Sequence, residues 1–299
     1  MTAALPNLTG RRELRAWATR ELAAAGCVSA AAEADWLLEE ATEGSGEPRG
    51  GAPVNPEGSG EPRGGAPVDR VAEALRAMVA RRAAGEPLQY VIGWAPFGRL
   101  RLAVGPGVFV PRPETETLAD RAARHLRTTD APRIAVDVCT GSGAIACFLA
   151  AEVPGARVLA TELDPGALAW ARVNARRHGV ELLAGDLDAP LPAELAGRVE
   201  VLCANVPYVP SGAIATLPAD VRDHEPRLAL DGGPDGLDVL RRLAPRATRW
   251  LAPGGRLYCE IGEDQAEAAA ALLTEAGLAP VTIHQDLVGR DRIVEGTGP

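Results

Sequence analysis

The sequence predicts an α/β fold, with a small N-terminal helical domain followed by a mostly parallel, doubly wound, seven-stranded sheet. From residue 113 onward, short β-prone runs alternate with longer segments of helical periodicity, as is typical of parallel strands joined by crossover helices. Only a loop separates the last two strand candidates, so we expect them to pair as a C-terminal antiparallel hairpin. The strand candidates are residues 133–138, 157–162, 181–185, 199–204, 256–261, 280–284 and 291–295.

Local start and stop signals support this order of elements. Asp164 and Pro165 are typical of the beginning of a helix, and Gly179 and Gly277 are typical of positions just past a helix end. These signals fall between strand candidates, where the alternating pattern requires helices.

Helical periodicity also dominates the N-terminal region, which we expect to form a domain over residues 1–86. Two helices are predicted between residues 11 and 41, with Gly26 between them, and a third between residues 69 and 85. Each has an apolar stripe that a small core can bury. The stripes comprise Leu14, Trp17 and Leu22, then Ala34, Leu37, Leu38 and Ala41, and finally Val71, Leu75, Met78 and Val79.

A tandem duplication interrupts this region. The segment GSGEPRGGAPV occupies residues 44–54 and recurs letter for letter at residues 58–68. It has almost no apolar side chains whose burial could offset the entropy lost on ordering. We therefore predict a flexible Gly/Pro-rich insertion over residues 44–68 rather than a repeat fold.

Residues 87–111 are expected to connect the helical domain to the sheet domain, which is predicted over residues 112–299. The β-prone runs at residues 89–92, 99–104 and 108–110 are separated by glycine and proline. This pattern indicates a β-hairpin between the two domains.

Composition and charge argue against several classes of protein. The formal net charge is −9, and all 31 basic residues are scattered arginines, so we expect no tight nucleic-acid binding. No apolar run approaches the roughly 20 residues that span a bilayer, and the first residues lack the pattern of a secretion signal. The five cysteines are odd in number and never spaced as a metal-ligand pair. We expect a cytoplasmic protein that binds neither metal nor membrane.

A glycine-rich corner follows the first strand candidate of the sheet. Backbone without bulky side chains lets a ligand approach closely at such a corner, and the N–H groups of the next helix point outward there. Glu162 ends the next strand, from which a carboxylate can accept hydrogen bonds from a ribose. The corner consists of Cys139, Thr140, Gly141, Ser142 and Gly143.

Two further residues extend this candidate cofactor site. Asp186, which follows the third strand candidate, can accept a hydrogen bond from an adenine amine, and Leu187 can pack on the base. Residues 141–146 also satisfy the dinucleotide pattern of NAD enzymes, so an NAD-dependent oxidoreductase stays open at this point.

A second polar corner, Asn205-Val206-Pro207-Tyr208, follows the fourth strand candidate. Loops at the carboxyl ends of neighbouring parallel strands converge on one crevice, so we expect both corners to face the same ligand pair. The corner suits an acceptor nitrogen that is planar and weakly nucleophilic. The Asn205 side-chain oxygen and the Val206 carbonyl can accept its two N–H bonds, while Tyr208 packs against the flat group. The nitrogen would then lie about 3–3.5 Å from the donor carbon.

Further motifs occur in order along the chain. They are Pro87-Leu88-Gln89-Tyr90, Pro111-Arg112-Pro113-Glu114-Thr115-Glu116, Gly141-Ser142-Gly143, Asn205-Val206-Pro207-Tyr208, Glu225-Pro226-Arg227-Leu228-Ala229-Leu230 and Gly289-Arg290-Asp291-Arg292. Together they resemble the HemK/PrmC family, whose members are S-adenosylmethionine-dependent methyltransferases that modify the glutamine amide of translation release factors. The resemblance runs from about residue 70 to the end.

This resemblance implies a fold, a cofactor and a partner. The fold is a Rossmann-like class I methyltransferase domain. The cofactor is S-adenosylmethionine, which leaves as S-adenosylhomocysteine, without a metal. The partner is a protein substrate that carries the target glutamine. In the family this is a peptide chain release factor, and in a related branch the protein substrate can differ.

The cofactor-binding residues of the family fall on the first corner and its neighbours. Its glycine-rich loop corresponds to residues 139–143, its ribose acid to Glu162, and its adenine-side pair to Asp186 and Leu187. Cys139 stands where the family usually has glycine, which predicts a more crowded approach for the cofactor.

The substrate-gripping motif of the family falls on residues 205–208. The resemblance implies catalytic roles for Asn205, Pro207 and Tyr208, substrate contacts from all four residues, and a cofactor contact from Asn205. Val206 replaces the first proline of the family's Asn-Pro-Pro-Tyr, which keeps the backbone carbonyl but gives up the fixed φ. Together with Cys139, this departure predicts a related branch of the family.

Residues outside these motifs are weaker candidates. The four histidines are scattered and none is nominated as a general base, although His224, beside Asp223 and Glu225, is the first to check. Arg112 and Glu114 are family positions expected near the mouth of the site, but an acidic helix start favoured by the helix dipole would look the same.

Two alternatives to glutamine methylation also stay open. An exocyclic amine on a nucleic-acid base is similarly flat and weakly nucleophilic, although the scattered arginines give no sign of a basic groove that tracks a strand. The chain can also be a non-catalytic relic that binds a cofactor and acts as a protein partner.

Overall fold

The computed structural model describes residues 10–43, 68–129 and 132–299. The chain divides into two compact units, Met1–Trp94 and Ala95–Pro299. The predicted insertion at residues 44–68 lies outside the described residues, apart from Val68. The division into domains at residues 86 and 111 stays a prediction.

The first unit contains helices α1 (Arg11–Ala24), α2 (Ala30–Glu43), α3 (Val68–Ala83) and α4 (Leu88–Ile92). The predicted apolar stripes of α1, α2 and α3 pack into one core, in which Leu22, Leu37 and Leu75 are fully buried. The ring of Trp36 stacks on that of Trp94 with centroids 5.4 Å apart. Burial of these stripes is the main source of stability for helices of this length.

The predicted connector differs from the observed structure. Residues 89–92 were expected in a β-prone run, but they lie in helix α4, which ends at Gly93 with a left-handed φ of 82°. Val91 and Ile92 are buried in the helical core, and this burial overrides their preference for strands. The observed hairpin pairs β1 (Trp94–Phe97) with β2 (Leu100–Ala103), and residues 108–110 form no strand.

The second unit contains a seven-stranded sheet of order β5-β4-β3-β6-β7-β9-β8. Strands β3 to β7 pair in parallel, whereas β9 is antiparallel to both β7 and β8. The predicted mostly parallel sheet with a C-terminal antiparallel hairpin is therefore confirmed. The strands are β3 (Ile134–Val138), β4 (Arg157–Glu162), β5 (Glu181–Ala184), β6 (Val199–Ala204), β7 (Leu251–Glu260), β8 (Val281–Gln285) and β9 (Asp291–Thr297).

Helices cover both faces of this sheet. Because side chains alternate along a strand, Val136 of β3 packs with α9 and α10 on one face, while Ala135 packs with α5 and α6 on the other. The helices are α5 (Pro113–Thr128), α6 (Ala144–Glu152), α7 (Pro165–His178), α8 (Ala219–His224), α9 (Asp238–Trp250) and α10 (Ala266–Glu275). None of the helices within the described ranges combines the length and apolar character required to cross a membrane.

Candidate active site

A cavity lies at the carboxyl ends of β3, β4, β5 and β6, where the strand order reverses on either side of β3. Both predicted corners contribute to its lining, together with the strand-end residues that follow β4 and β5. The two corners therefore face the same cavity. The predicted residues that line it are Cys139, Thr140, Gly141, Ser142, Glu162, Asp186, Leu187, Asn205, Pro207 and Tyr208.

Two predicted site residues, Gly143 and Val206, are absent from this lining. Gly143 is the N-cap of α6 with φ 87°, so it shapes the turn behind the cavity. The side chain of Val206 is buried in the hydrophobic core beneath the sheet edge. The predicted contact of Val206 with an acceptor can therefore involve only its backbone carbonyl. Valine and proline both provide this carbonyl.

The fold of the glycine-rich corner depends on Asp137, a fully buried residue of β3. Its Oδ2 accepts hydrogen bonds from the Thr140 hydroxyl and from the Ala146 N–H, the latter at 3.2 Å. Burial raises the pKa of this carboxyl to about 7, although both hydrogen bonds oppose the shift. Asp137 thus ties the corner to the first turn of α6.

Glu162 holds the other side of the same corner. Its Oε2 accepts the Gly141 N–H at 2.8 Å, and its Oε1 accepts the N–H groups of Leu163 and Asp164, both at 2.8 Å. Burial raises the pKa of Glu162, while the backbone N–H groups oppose this by favouring the carboxylate. The result is a carboxylate with a fixed orientation at the edge of the cavity.

Two cavity residues have strained backbone conformations. Among the described residues, Cys139 (φ 55°) and Leu187 (φ 50°) are the non-glycine positions with positive φ. Such conformations cost about 1–3 kcal/mol each and cluster at ligand sites. Burial and then the nearby Glu162 raise the pKa of the Cys139 thiol, which keeps it neutral.

The cavity is electrostatically acidic. Arg242 is the basic residue in its described lining, and it forms an ion pair with Asp186 Oδ2. One oxygen of the predicted adenine acceptor is thereby occupied. The acidic lining residues are Glu162, Asp164, Asp186 and Asp231. This excess of negative charge favours a cationic ligand.

The second corner is anchored by a buried polar network that the sequence did not reveal. The Asn205 Nδ2 donates to the Thr115 hydroxyl at 3.1 Å, and that hydroxyl donates to Glu260 Oε2 at 2.6 Å. The Tyr208 hydroxyl donates to Glu260 Oε1 at 3.2 Å. Burial and then the charge of Glu260 raise the pKa of Tyr208. One feature of the sequence could have indicated Glu260 as a site residue, because it ends a parallel strand just as Glu162 does.

A glycine-rich loop at residues 231–238 supports the backbone of this corner. A Cβ atom on Gly236 would lie 2.1 Å from the Tyr208 carbonyl oxygen, and one on Gly232 would lie 2.5 Å from that of Pro207. Gln265 Nε2 donates to the same Tyr208 carbonyl at 2.9 Å. These close contacts fix the path of the chain after Asn205.

An ion pair joins Arg112 and Glu225, the chain neighbours of the lining residues Pro111 and Pro226. Arg112 lies over the Phe109 ring at 4.9 Å and donates to Glu225 Oε1 at 2.5 Å. Burial raises the pKa of Glu225 to about 7, although Arg112 opposes the shift. Glu114 instead pairs with Arg290 at 3.3 Å. His224 is exposed and does not line the cavity.

The strand order and the cavity at the reversal point define a Rossmann-like class I methyltransferase domain. A 16S rRNA methyltransferase from T. thermophilus, solved in complex with AdoMet and guanosine, matches with a TM-score of 0.50 and 19% sequence identity. The match covers 69% of this chain and 50% of that chain. At this level of identity the similarity concerns the fold alone.

Sequence relatives identify the family. Residues 65–93 match the PrmC N-terminal domain. The chain is 39% identical to the release factor glutamine methyltransferase of Geobacter sulfurreducens, over 97% of this chain and 98% of that protein. It is 46% identical to that of Mycolicibacterium smegmatis, over 75% of this chain and 80% of that protein. The chain belongs to the HemK/PrmC family of release factor glutamine methyltransferases. A separate branch marked by Cys139 and Val206 stays a prediction.

Proposed function

We propose that this chain transfers a methyl group from S-adenosylmethionine to the side-chain amide nitrogen of a glutamine in a peptide chain release factor. The observation that carries the proposal is that the glycine-rich corner, Glu162 and the Asn205 corner all line the same cavity. Family membership supports the acceptor, because a relative that aligns over 97% of this chain is named a release factor glutamine methyltransferase.

The cavity has the chemistry that S-adenosylmethionine requires. Its acidic lining complements a cationic sulfonium, and the Glu162 carboxylate at the cavity suits the ribose hydroxyls. Ala144 and Ile145 are the first residues of α6 and line the cavity. Their backbone N–H groups have no partner within the helix, so they suit the carboxylate of the cofactor. By contrast, the pyrophosphate of NAD would add negative charge to an acidic cavity.

The cofactor, when bound, supplies a methyl group on a sulfonium that is already a good leaving group. The chain's own residues then have to orient the acceptor amide and exclude water. Asn205 Oδ1 and the Val206 carbonyl accept hydrogen bonds from the two N–H groups of the glutamine amide, and Tyr208 packs against its plane. The amide loses one of these protons during or after transfer, and the cofactor leaves as the neutral thioether. We assign no general base, because both oxygens of Glu260 already accept hydroxyl groups and no histidine is found in the described cavity lining.

A binding and labelling experiment tests this proposal. The full chain should bind S-adenosylhomocysteine but not NADH, and it should transfer a labelled methyl group to a release factor. Mass spectrometry should place the label on a glutamine side chain. Label on nucleic acid would instead support methylation of a base, and cofactor binding without transfer to any acceptor would support a non-catalytic relic.

Substitution of Cys139 tests the placement of the cofactor. Cys139→Val introduces a β-branched side chain at a positive φ and replaces the thiol with two methyl groups at the cavity, so we expect S-adenosylhomocysteine to bind about tenfold more weakly. Cys139→Gly is the matched control and should bind at least as tightly as the wild type. Calorimetric titration of both variants measures the effect. Equal affinity in the valine variant and the wild type would contradict the placement.

A further inference from the structure

We propose that Thr115 and Glu260 are positioning residues that fix which end of the Asn205 amide faces the substrate, and so select glutamine over glutamate. The proposal rests on the proposed function, because it requires an amide as the acceptor. Neither Thr115 nor Glu260 needs to touch the substrate for this role. They act through the hydrogen-bond direction that they impose on Asn205.

The direction follows from the number of protons in the network. An ionised carboxylate can only accept, so the Thr115 hydroxyl gives its single proton to Glu260 Oε2, 2.6 Å away. The hydroxyl oxygen can then only accept from Asn205, which therefore presents Nδ2 at 3.1 Å. The remaining group of that amide, the oxygen Oδ1, is left for the cavity that Asn205 lines.

Burial makes this direction hard to reverse. Thr115 contributes to the cavity lining but is only 3% exposed, and Glu260 is 1% exposed, so bulk water has little access to either partner. Glu260 Oε1 also accepts a hydrogen bond from the Tyr208 hydroxyl. One carboxylate therefore binds Tyr208 directly and Asn205 through Thr115. Burial raises the pKa of Glu260, whereas the Thr115 hydroxyl, the charge of Arg292 and the Tyr208 hydroxyl oppose the shift by favouring the ionised form, which can only accept.

The fixed amide distinguishes two substrates of nearly equal shape. Oδ1 of Asn205 attracts the N–H bonds of a glutamine amide and repels the oxygens of a glutamate carboxylate. If the amide were free to rotate, Nδ2 would face the substrate part of the time, and the preference would weaken. A site that hydrogen-bonds one substrate strongly rejects an analogue that cannot make that bond.

Thr115→Val tests the proposal, because it removes the hydroxyl and keeps the side-chain shape. We expect kcat for release factor methylation to fall about 10- to 100-fold, with S-adenosylhomocysteine affinity unchanged. The binding preference for the release factor over the same protein with glutamate at the methylated position should fall about tenfold. Thr115→Ser should restore both values to within a few-fold of the wild type. If the valine variant fails to fold, Thr115→Ala should show the same two losses.

Thr161→Val is a matched control in the same sheet. Thr161 is fully buried, and its hydroxyl has no hydrogen-bond partner among the described residues, so its loss should leave kcat and the glutamine preference unchanged. Wild-type kcat and preference in Thr115→Val would overturn the positioning role alone. A wild-type chain that does not methylate the release factor would overturn the proposed function, and the positioning role with it.

Discussion

Asn205→Ala is expected to lower the turnover number for release factor methylation by about 10²–10³-fold, the usual effect of removing one preorganised hydrogen-bonding group from an active site. The lost contact is to the acceptor nitrogen, whose lone pair is delocalised and which reacts only when it is held in line with the methyl group. Loss of the Asn205 side chain leaves the Thr115 hydroxyl without its hydrogen-bond donor, but the hydrogen bond from Thr115 to Glu260 remains.

The cofactor affinity of the same variant serves as its internal control. Because the glycine-rich corner and Glu162 are untouched, S-adenosylhomocysteine should bind Asn205→Ala within about threefold of the wild type. Single-turnover measurements at saturating release factor separate the chemical step from substrate binding. Turnover at the wild-type rate would remove Asn205 from the acceptor site, and a large loss of cofactor affinity would assign it mainly to the cofactor.

The parts of the site that sequence could predict are local in the chain. The glycine-rich corner, Glu162 and the Asn205 corner each follow a recognisable strand, and parallel topology brings such strand ends together. The network behind Asn205 was not predictable in this way, because Thr115 and Glu260 are 145 residues apart and meet only in the folded sheet.

The errors in the prediction have the same origin. Residues 89–92 have strand-forming side chains, yet they bury in a helical core whose other members come from distant segments. The ion pair between Arg242, from α9, and one oxygen of Asp186 was not expected either, and the predicted adenine contact of Asp186 stays a prediction. In each case a contact between distant parts of the chain decides the outcome, and local sequence does not contain it.

The two departures from the family motif have different physical consequences. Val206 keeps its side chain in the core, so its replacement of proline leaves the cavity surface unchanged. Cys139 lines the cavity and takes a backbone conformation that glycine adopts without strain. We therefore expect Cys139, rather than Val206, to be the departure that alters cofactor binding.

Gly236→Ala is expected to have the largest effect on stability. Its Cβ would lie 2.1 Å from the Tyr208 carbonyl oxygen and 2.3 Å from Gln265 Nε2, and its φ of 78° disfavours alanine. Overpacking and the left-handed backbone together should lower the unfolding free energy by about 3 kcal/mol. The expected fall in Tm is roughly 6–12 °C for a unit of this size. Turnover should fall as well, because the displaced carbonyl belongs to the acceptor corner.

Gly212→Ala provides the matched control for this substitution. Gly212 is exposed, lies in the turn Ser211–Thr216 close to the same corner, and has open space where a Cβ would be placed. Its Tm should stay within about 2 °C of the wild type, since alanine in a compatible backbone is neutral or slightly stabilising. Thermal melts of the two variants compare the same chemical change at a packed and an open glycine. Equal melting temperatures would show that the loop at residues 231–238 yields easily, and would contradict a rigid support behind Tyr208.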